Sequence, residues 1–349
     1  MGNTERPQAD DIRRPPPEGV KETWGGPAFP CEPGPSQCLR TGESLTKDPA
    51  HAGAGAEPGK PAPIEPLTTA DLAGALRLSE AAHWNQNEAD WRNMLALGQG
   101  WAIHGRDSAG TQRLAASTVV LPYGTGFAWI SMVLVLPEFR RRGYATQLLR
   151  HALARLAPLG LAAVLDATPA GRAVYSKEGF RDTWGFARYC REGGACVPTA
   201  PSLASGPATR AIRKGDWPAI AALDAPAFGA DRLPLLRSLA TRLPAAARVV
   251  EQNGHLRGFV FGRDGREASQ IGPLLADDMV TAQSLIGDTL SAIAGPVFVD
   301  LLDRCAALKP WLQEQGFIFQ RPFTRMVQGA SVAPGDNQAI VLVAGPELG

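Results

Sequence analysis

Apolar residues recur along this chain in two periods, and each change of period marks an element. Near Ile64 the pattern begins: Thr68-Thr69-Ala70-Asp71 has capping-box spacing, Leu72 and Leu76 open a helix face behind it, and a second helical stretch covers residues 90–97. Residues 100–104, 114–121 and 127–135 are rich in β-formers and separated by Gly-Arg-Asp-Ser and Pro-Tyr-Gly-Thr-Gly, which predicts a three-stranded meander. The period then turns helical. Ala145, Leu148, Leu149, Ala152, Leu153 and Leu156 recur at i, i+3, i+4, i+7, i+8 and i+11, one apolar face of a helix that starts near Gly143. A strand at 161–166, a helix at 171–177 and a strand at 181–189 close the series.

Residues 191–207 turn to Gly, Ser, Pro and Ala and read as a linker, after which the same order starts again. Asp216 is placed to cap a helix, a helix covers 231–243, and an Asn253-Gly254 hairpin turn joins Val249-Val250 to Phe259-Val260-Phe261. A helix at 279–293, a strand at 297–302, a helix near Trp311 and a strand from Phe317 complete the second series. Gly179-Phe180 and Gly316-Phe317 stand 137 apart, and the same offset sets Ala145 on Ala282, Leu148 on Leu285, Leu165 on Leu302, Asp166 on Asp303, Phe186 on Phe323 and Arg188 on Arg325. One register held over this span predicts an internal duplication.

Composition changes this picture at the edges. Thirteen of the 30 prolines fall in the first 66 residues, where no apolar period survives, so residues 1–62 are expected to be a disordered tail. A net charge of +1 provides no general field for nucleic acid or anionic membrane, and no apolar run reaches membrane-spanning length or forms a secretory core. Cys31, Cys38, Cys190, Cys196 and Cys305 lack metal-ligand spacing and read as reduced thiols of a cytoplasmic protein that holds no metal; pairing or metal binding by Cys190 and Cys196 is the alternative.

Chemistry concentrates in one place. Arg140, Arg141 and Arg142 precede Gly143 at a helix start, where unpaired N–H groups and the positive end of the dipole face out and a glycine lets backbone approach a bulky anion. That combination predicts a pyrophosphate seat. The duplicate lacks it: the offset puts Asp277 and Asp278 at Arg140 and Arg141, Val280 at Gly143 and Leu312 at Tyr175. One anion site per chain, in the first copy, is the expectation.

The segment Val133-Leu-Val-Leu-Pro-Glu-Phe-Arg-Arg-Arg-Gly-Tyr-Ala-Thr resembles the acyl-CoA-binding motif of the GNAT N-acetyltransferase superfamily, with Arg140, Gly143 and Ala145 at its defining positions. Leu165-Asp-Ala-Thr-Pro-Ala-Gly-Arg-Ala-Val-Tyr175-Ser-Lys-Glu-Gly-Phe180 is similar to the family's second block, although Thr168 stands where many members carry an asparagine. Trp84-Asn85-Gln86, Glu88-Ala89-Asp90-Trp91 and the closing Ala344-Gly-Pro-Glu-Leu-Gly349 resemble a bacterial subset with two tandem halves. The fold class implied is α+β: two tandem GNAT folds, each a mixed, mostly antiparallel sheet flanked by helices. Its parts are the tail 1–62, an acetyl-CoA-binding domain 63–190, the linker 191–207, a degenerate domain 208–328 and a tail with a short strand, 329–349.

The resemblance implies an acetyl-CoA-dependent N-acetyltransferase acting on a small-molecule amine or an amino terminus by direct attack in a ternary complex. Met132, Val133, Leu134 and Val135 would meet the pantetheine arm through their backbone and polarise the thioester carbonyl with its N–H groups, Arg140, Arg141, Arg142, Gly143, Tyr144, Ala145 and Thr146 would hold the phosphates, and Tyr175 would protonate the thiolate. Trp84, Asn85, Gln86 and Asp166 are the candidate substrate-binding residues, and His83, Glu88, Asp90 and Asp166 the candidate bases, among which the sequence does not choose. A non-catalytic acyl-CoA-binding regulator is the alternative; a nucleic-acid-binding module and a membrane protein are excluded by charge and hydropathy, and the oligomeric state is open.

Overall fold

The computed structural model describes residues 61–193 and 206–349, so nearly all of the expected tail and most of the linker lie outside the described residues. The first half runs β1 (Glu65–Leu67), α1 (Leu72–Ala81), α2 (Glu88–Leu97), β2 (Gln99–Arg106), β3 (Gln112–Tyr123), β4 (Phe127–Val135), α3 (Tyr144–Leu156), β5 (Ala162–Ala167), α4 (Pro169–Lys177) and β6 (Arg181–Arg191). The second repeats it: β7 (Thr209–Ala211), α5 (Trp217–Phe228), α6 (Leu233–Arg242), β8 (Arg248–Gln252), β9 (His255–Arg263), β10 (Ser269–Ala276), α7 (Met279–Ser291), β11 (Val297–Leu302), α8 (Lys309–Glu314) and β12 (Ile318–Gln328), followed by β13 (Ile340–Leu342). The capping box at Thr68 is present, accepting from Ala70 and facing the Asp71 carboxylate. Asp216 precedes α5 as expected, but its carboxylate accepts from the Arg213 N–H at 2.6 Å and pairs with Arg210 instead of capping the helix.

All strands join one sheet in the order β1-β2-β3-β4-β5-β12-β6-β11-β13-β10-β9-β8-β7. Its centre is an exchange. β12 of the second half lies between β5 and β6 of the first, and β6 borders β11 of the second, so each half completes the other's sheet. In the first half, Trp91 and Met94 of α2 share a core with Val119, Trp129 and Val164 on one face, while Leu149, Ala152 and Leu156 of α3 pack on Val120, Ile130 and Leu165 on the other. Strand alternation accounts for that division. Among the described residues, no helix is long and apolar enough to cross a membrane.

The duplication is visible, with its register corrected in two places. The buried faces of α3 and α7 keep the 137 offset, Leu148 with Leu285 and Leu149 with Ile286, but α7 begins two residues earlier in that register. Asp166 does not correspond to Asp303. It pairs with Arg325 across β5 and β12, and the matching pair is Asp300 with Arg188 across β11 and β6, an offset of 134 from Asp166. Three additional residues, in the short 3-10 turn before α8, restore 137 by Gly316.

Candidate functional site

The basic turn is built as an open loop. Phe139, fully buried, anchors it, and Arg140 N–H donates to the Pro137 carbonyl at 3.2 Å. Arg141 (φ 63°) and Gly143 (φ 79°) both take the left-handed conformation, and Gly143 caps α3 without a side-chain acceptor. From Arg141 to Thr146 no backbone N–H is paired within the described residues, and no atom lies within 4 Å of where a Gly143 Cβ would stand. Six free donors at a positive helix end suit a diphosphate. The three arginines are not equivalent: Arg140 Nε donates to the Val135 carbonyl at 3.3 Å, and Arg142 donates to the Glu138 carbonyl at 3.0 Å and lies over the Phe139 ring. Arg141 alone has its guanidinium uncommitted among the described residues. Ala145 and Thr146 are half-buried on the first turn of α3, and Tyr144 packs into the core behind the loop.

β4 leads into this loop through a cleft. Parallel pairing with β5 holds from Phe127–Ala162 to Trp129–Val164 and then stops, so the two strands part in the direction of the loop. A bulge against β3 falls in the parted stretch, between the Val119–Ser131 and Ser117–Leu134 pairs, and Met132 sits in it at φ 51°. The Ser117 hydroxyl fastens the bulge by donating to the Met132 carbonyl at 2.8 Å. Leu134 is buried, while Val133 and Val135 face α3 half-buried, so what this stretch offers the cleft is main chain. The resemblance puts Met132 on the strand that meets the pantetheine arm, but nothing in the sequence marked a bulge there, because a bulge is set by strand register and not by residue type.

Tyr175 stands on α4 on the same side as α3, packed on Phe180 with ring centroids 6.0 Å apart. Burial pushes its phenol up to about 12, and its hydroxyl has no hydrogen bond among the described residues. Thr168 caps α4, its hydroxyl accepting from the Gly171 N–H at 3.2 Å.

The substrate-binding expectations on the opposite face need correction. Asn85 is buried and saturated: Nδ2 donates to the Ala268 carbonyl at 2.9 Å while Oδ1 accepts from the N–H groups of Glu267 and Ala268 at 2.9 and 3.0 Å. The Trp84 carbonyl accepts from Arg266 at 3.1 Å. The loop of Trp84, Asn85 and Gln86 is therefore a clasp on the second half, in which the buried Gln86 Oε1 has no partner among the described residues. The Asp166 side chain is fully buried and bonded twice to Arg325, at 2.9 Å each, one bond to each oxygen; burial drives its carboxyl up against the pull of the guanidinium. Arg325 in turn lies between the rings of Trp129 and Trp184. Of the candidate bases, Asp90 accepts from the Asn87 N–H at 3.0 Å and is paired with Arg242 and Arg263, Glu88 is exposed and paired with Arg92, and His83 is exposed.

The second half has the same cleft, closed from within. β10 and β11 pair in parallel from Ser269–Val297 to Ile271–Val299 and then part, and β13 lies in the gap, antiparallel to both through Leu342. Beyond β13 the chain reaches the first half, where Trp129 Nε1 donates to the Pro346 carbonyl at 3.0 Å and the Tyr123 hydroxyl to the Leu348 carbonyl at 2.9 Å. At the start of α7, Asp278 accepts from the Thr281 N–H at 2.7 Å, and that bond holds its carboxyl below the usual range. Its charge occupies the dipole end that the first half leaves open.

Comparison with known proteins agrees with this duplicated geometry. Residues 77–180 match the acetyltransferase (GNAT) family and residues 220–341 the acetyltransferase (GNAT) domain. The chain is 25% identical over 189 residues to the uncharacterized N-acetyltransferase YitH of Bacillus subtilis, a match that spans 54% of this chain and 65% of that protein. Its fold is that of a putative acetyltransferase from Pyrococcus horikoshii (TM-score 0.65, 18% identity, 86% of this chain and 99% of that one). It is also similar to a tandem GNAT protein from the clavulanic acid biosynthesis pathway (TM-score 0.54, 17% identity, 76% and 98%). With both halves matched, and with the order of elements repeated across one sheet, the chain belongs to the GNAT acetyltransferase superfamily as a tandem protein.

Proposed function

We propose that the first half binds one acetyl-CoA and transfers its acetyl group to the amine of a small molecule or an amino terminus, by direct attack in a ternary complex. The observation that carries this reading is the contrast between the two clefts: β4 and β5 part beside an uncapped, glycine-led helix start, whereas β10 and β11 are filled by β13 and α7 is capped by Asp278. The residues fit the cofactor in kind, with free N–H groups for a diphosphate and an unpaired strand edge for an amide-bearing arm.

Acetyl-CoA supplies an activated thioester. The chain's part is to hold and polarise it. The N–H groups from Arg141 to Thr146 and the Arg141 guanidinium would take the phosphates, and the β4 backbone around the Met132 bulge would direct N–H groups to the acyl oxygen. Tyr175, with its phenol raised to about 12, keeps its proton at neutral pH and can give it to the departing thiolate. With His83, Glu88, Asp90 and Asp166 exposed or engaged, the acceptor enters as free amine. The rate of acetylation should then rise tenfold per pH unit toward the acceptor's own pKa, ~8 for an amino terminus and ~10 for an alkylamine.

Two measurements test this. Calorimetric titration should find one acetyl-CoA per chain, and a panel of amines should release CoA. Binding at two sites would overturn the assignment to one half, and retained binding with a flat panel would favour an acyl-CoA-responsive regulator.

A further inference from the structure

The exchanged strands β6 and β12 are symmetric residue by residue. Phe186 pairs with Phe323, their rings stacked at 5.0 Å and 12°, and on either side Trp184 faces Arg325 and Arg188 faces Arg321. The 137 offset maps Arg188 on Arg325 and Trp184 on Arg321. At one end, then, the bonded pair Asp166–Arg325 is covered by Trp184. At the other, the bonded pair Asp300–Arg188 is flanked by an arginine instead of an aromatic ring.

That arginine has no counter-charge. Two like charges directly across a strand pair repel, and the Asp300 oxygens are already taken by Arg188 at 2.8 and 2.7 Å and by Gln270 Nε2 at 3.1 Å. Glu267, the other carboxylate whose field reaches Arg321, is paired with Arg266. Arg321 makes neither a hydrogen bond nor an ion pair among the described residues, its Nε is buried without a partner, and its guanidinium has only the Phe323 ring at 5.3 Å. Burial and the neighbouring Arg188 lower it to about 10, so the charge persists at neutral pH in a setting that disfavours it. Nearby on β10 and β12, Gln270 Oε1 and Gln320 Oε1 are buried acceptors without donors. Unpaired buried polar groups of both kinds cost free energy unless something joins them.

Its place in the fold says what could. β12 pairs with β5 only from Thr324–Ala167 onward, so Arg321 stands past the end of β5 in the direction in which β4 and β5 part. It lies on the face of Asp166, Arg325 and Trp129, across the sheet from α3 and Tyr175. That is the face left for an acceptor when the cofactor enters along α3.

We propose that Arg321 binds a carboxylate, and that the amine acetylated by the first half carries one on an amino-acid-like frame whose N–H donors meet Gln270 and Gln320. This rests on the acyl-transfer reading above. A guanidinium fork matches a planar carboxylate through two parallel bonds.

The test uses the full chain and acceptor pairs that differ only in the carboxylate, lysine against cadaverine and phenylalanine against phenethylamine. Wild type should favour the amino acids. Arg321→Gln should raise KM for them by about 10- to 100-fold, the worth of a charge-assisted bond, with kcat held and the plain amines unaffected. Arg321→Lys should recover part of the loss. Arg321→Gln should melt no lower than wild type, since it removes an unpaired charge, and this reports folding separately. If no pair turns over, millimolar lysine or phenylalanine should still raise the wild-type melting temperature and leave that of Arg321→Gln unmoved. Equal effects on both members of a pair, or no carboxylate preference in turnover or melting, would overturn the proposal. Absence of acetyl-CoA binding in a first titration would instead sink the acyl-transfer reading while leaving the melting comparison to judge Arg321. Inorganic phosphate stabilising wild type more than either amino acid would make the site a phosphate seat and refute the carboxylate.

Discussion

The two halves share a cleft between parallel strands and a helix that starts beside it, and they differ in who occupies them. In the first half the strand edges and the α3 N–H groups are left free; in the second the same groups are satisfied by the chain's own β13 and by Asp278. Backbone donors and acceptors cannot stay buried and unpaired, so a cleft between parted strands needs something to pair with them. β13 supplies strand pairing, and the segment after it ties Trp129 and Tyr123 of the first half to the second. The second cleft is part of the seam between the halves.

The largest effect should come from breaking what the halves share. Arg325→Met strands the buried Asp166 carboxylate and should cost about 3–5 kcal/mol in urea unfolding; Arg188→Met should cost a similar amount through Asp300, and unequal losses would mean the symmetry of the pairs is geometric only. Next comes the chemistry present in one half. Tyr175→Phe should lower kcat by about 100-fold, with acetyl-CoA affinity unchanged by calorimetry. Gly143→Val carries into the first half the valine found at Val280; strained at φ 79° and set in the anion's path, it should weaken acetyl-CoA binding by about 30-fold, while the open space around its Cβ leaves folding nearly intact. The smallest change belongs to the second half. Asp278→Ala should cost about 1 kcal/mol as a lost cap, with no change in cofactor stoichiometry. Because the folded carboxyl lies below its unfolded value of about 3.9, that stability is present above pH 4 and fades as pH falls through the lowered value, so wild type and variant should converge in acid.

Much of this was legible beforehand where a single segment decides the outcome. Phe127–Val135 and Val297–Leu302 are strands with the bounds expected from their composition, and Gly143 does begin α3. Nothing near Asn85 or Asp166 in the sequence separates a substrate contact from a structural one, because the partners that engage them, Ala268 and Arg325, are 183 and 159 residues away. Aligning Asp166 with Asp303 failed for a related reason. An ungapped offset cannot see the insertion before α8, whereas a bonded arginine identifies Asp300 at once.

What the sequence by itself determined are the properties written in neighbouring residues: the order of elements, the repeat, the basic glycine turn and its loss in the second copy. Local periodicity and helix-end electrostatics act over a few residues, so they can be read from a few residues. The tertiary structure alone decided the exchange of β6 and β12, the filling of the second cleft by β13, the Met132 bulge, and the conversion of Asn85 and Asp166 from candidate ligands to struts. Each of these depends on which distant segments meet, and such meetings are long-range choices made by burying polar groups, charge pairs and backbone together.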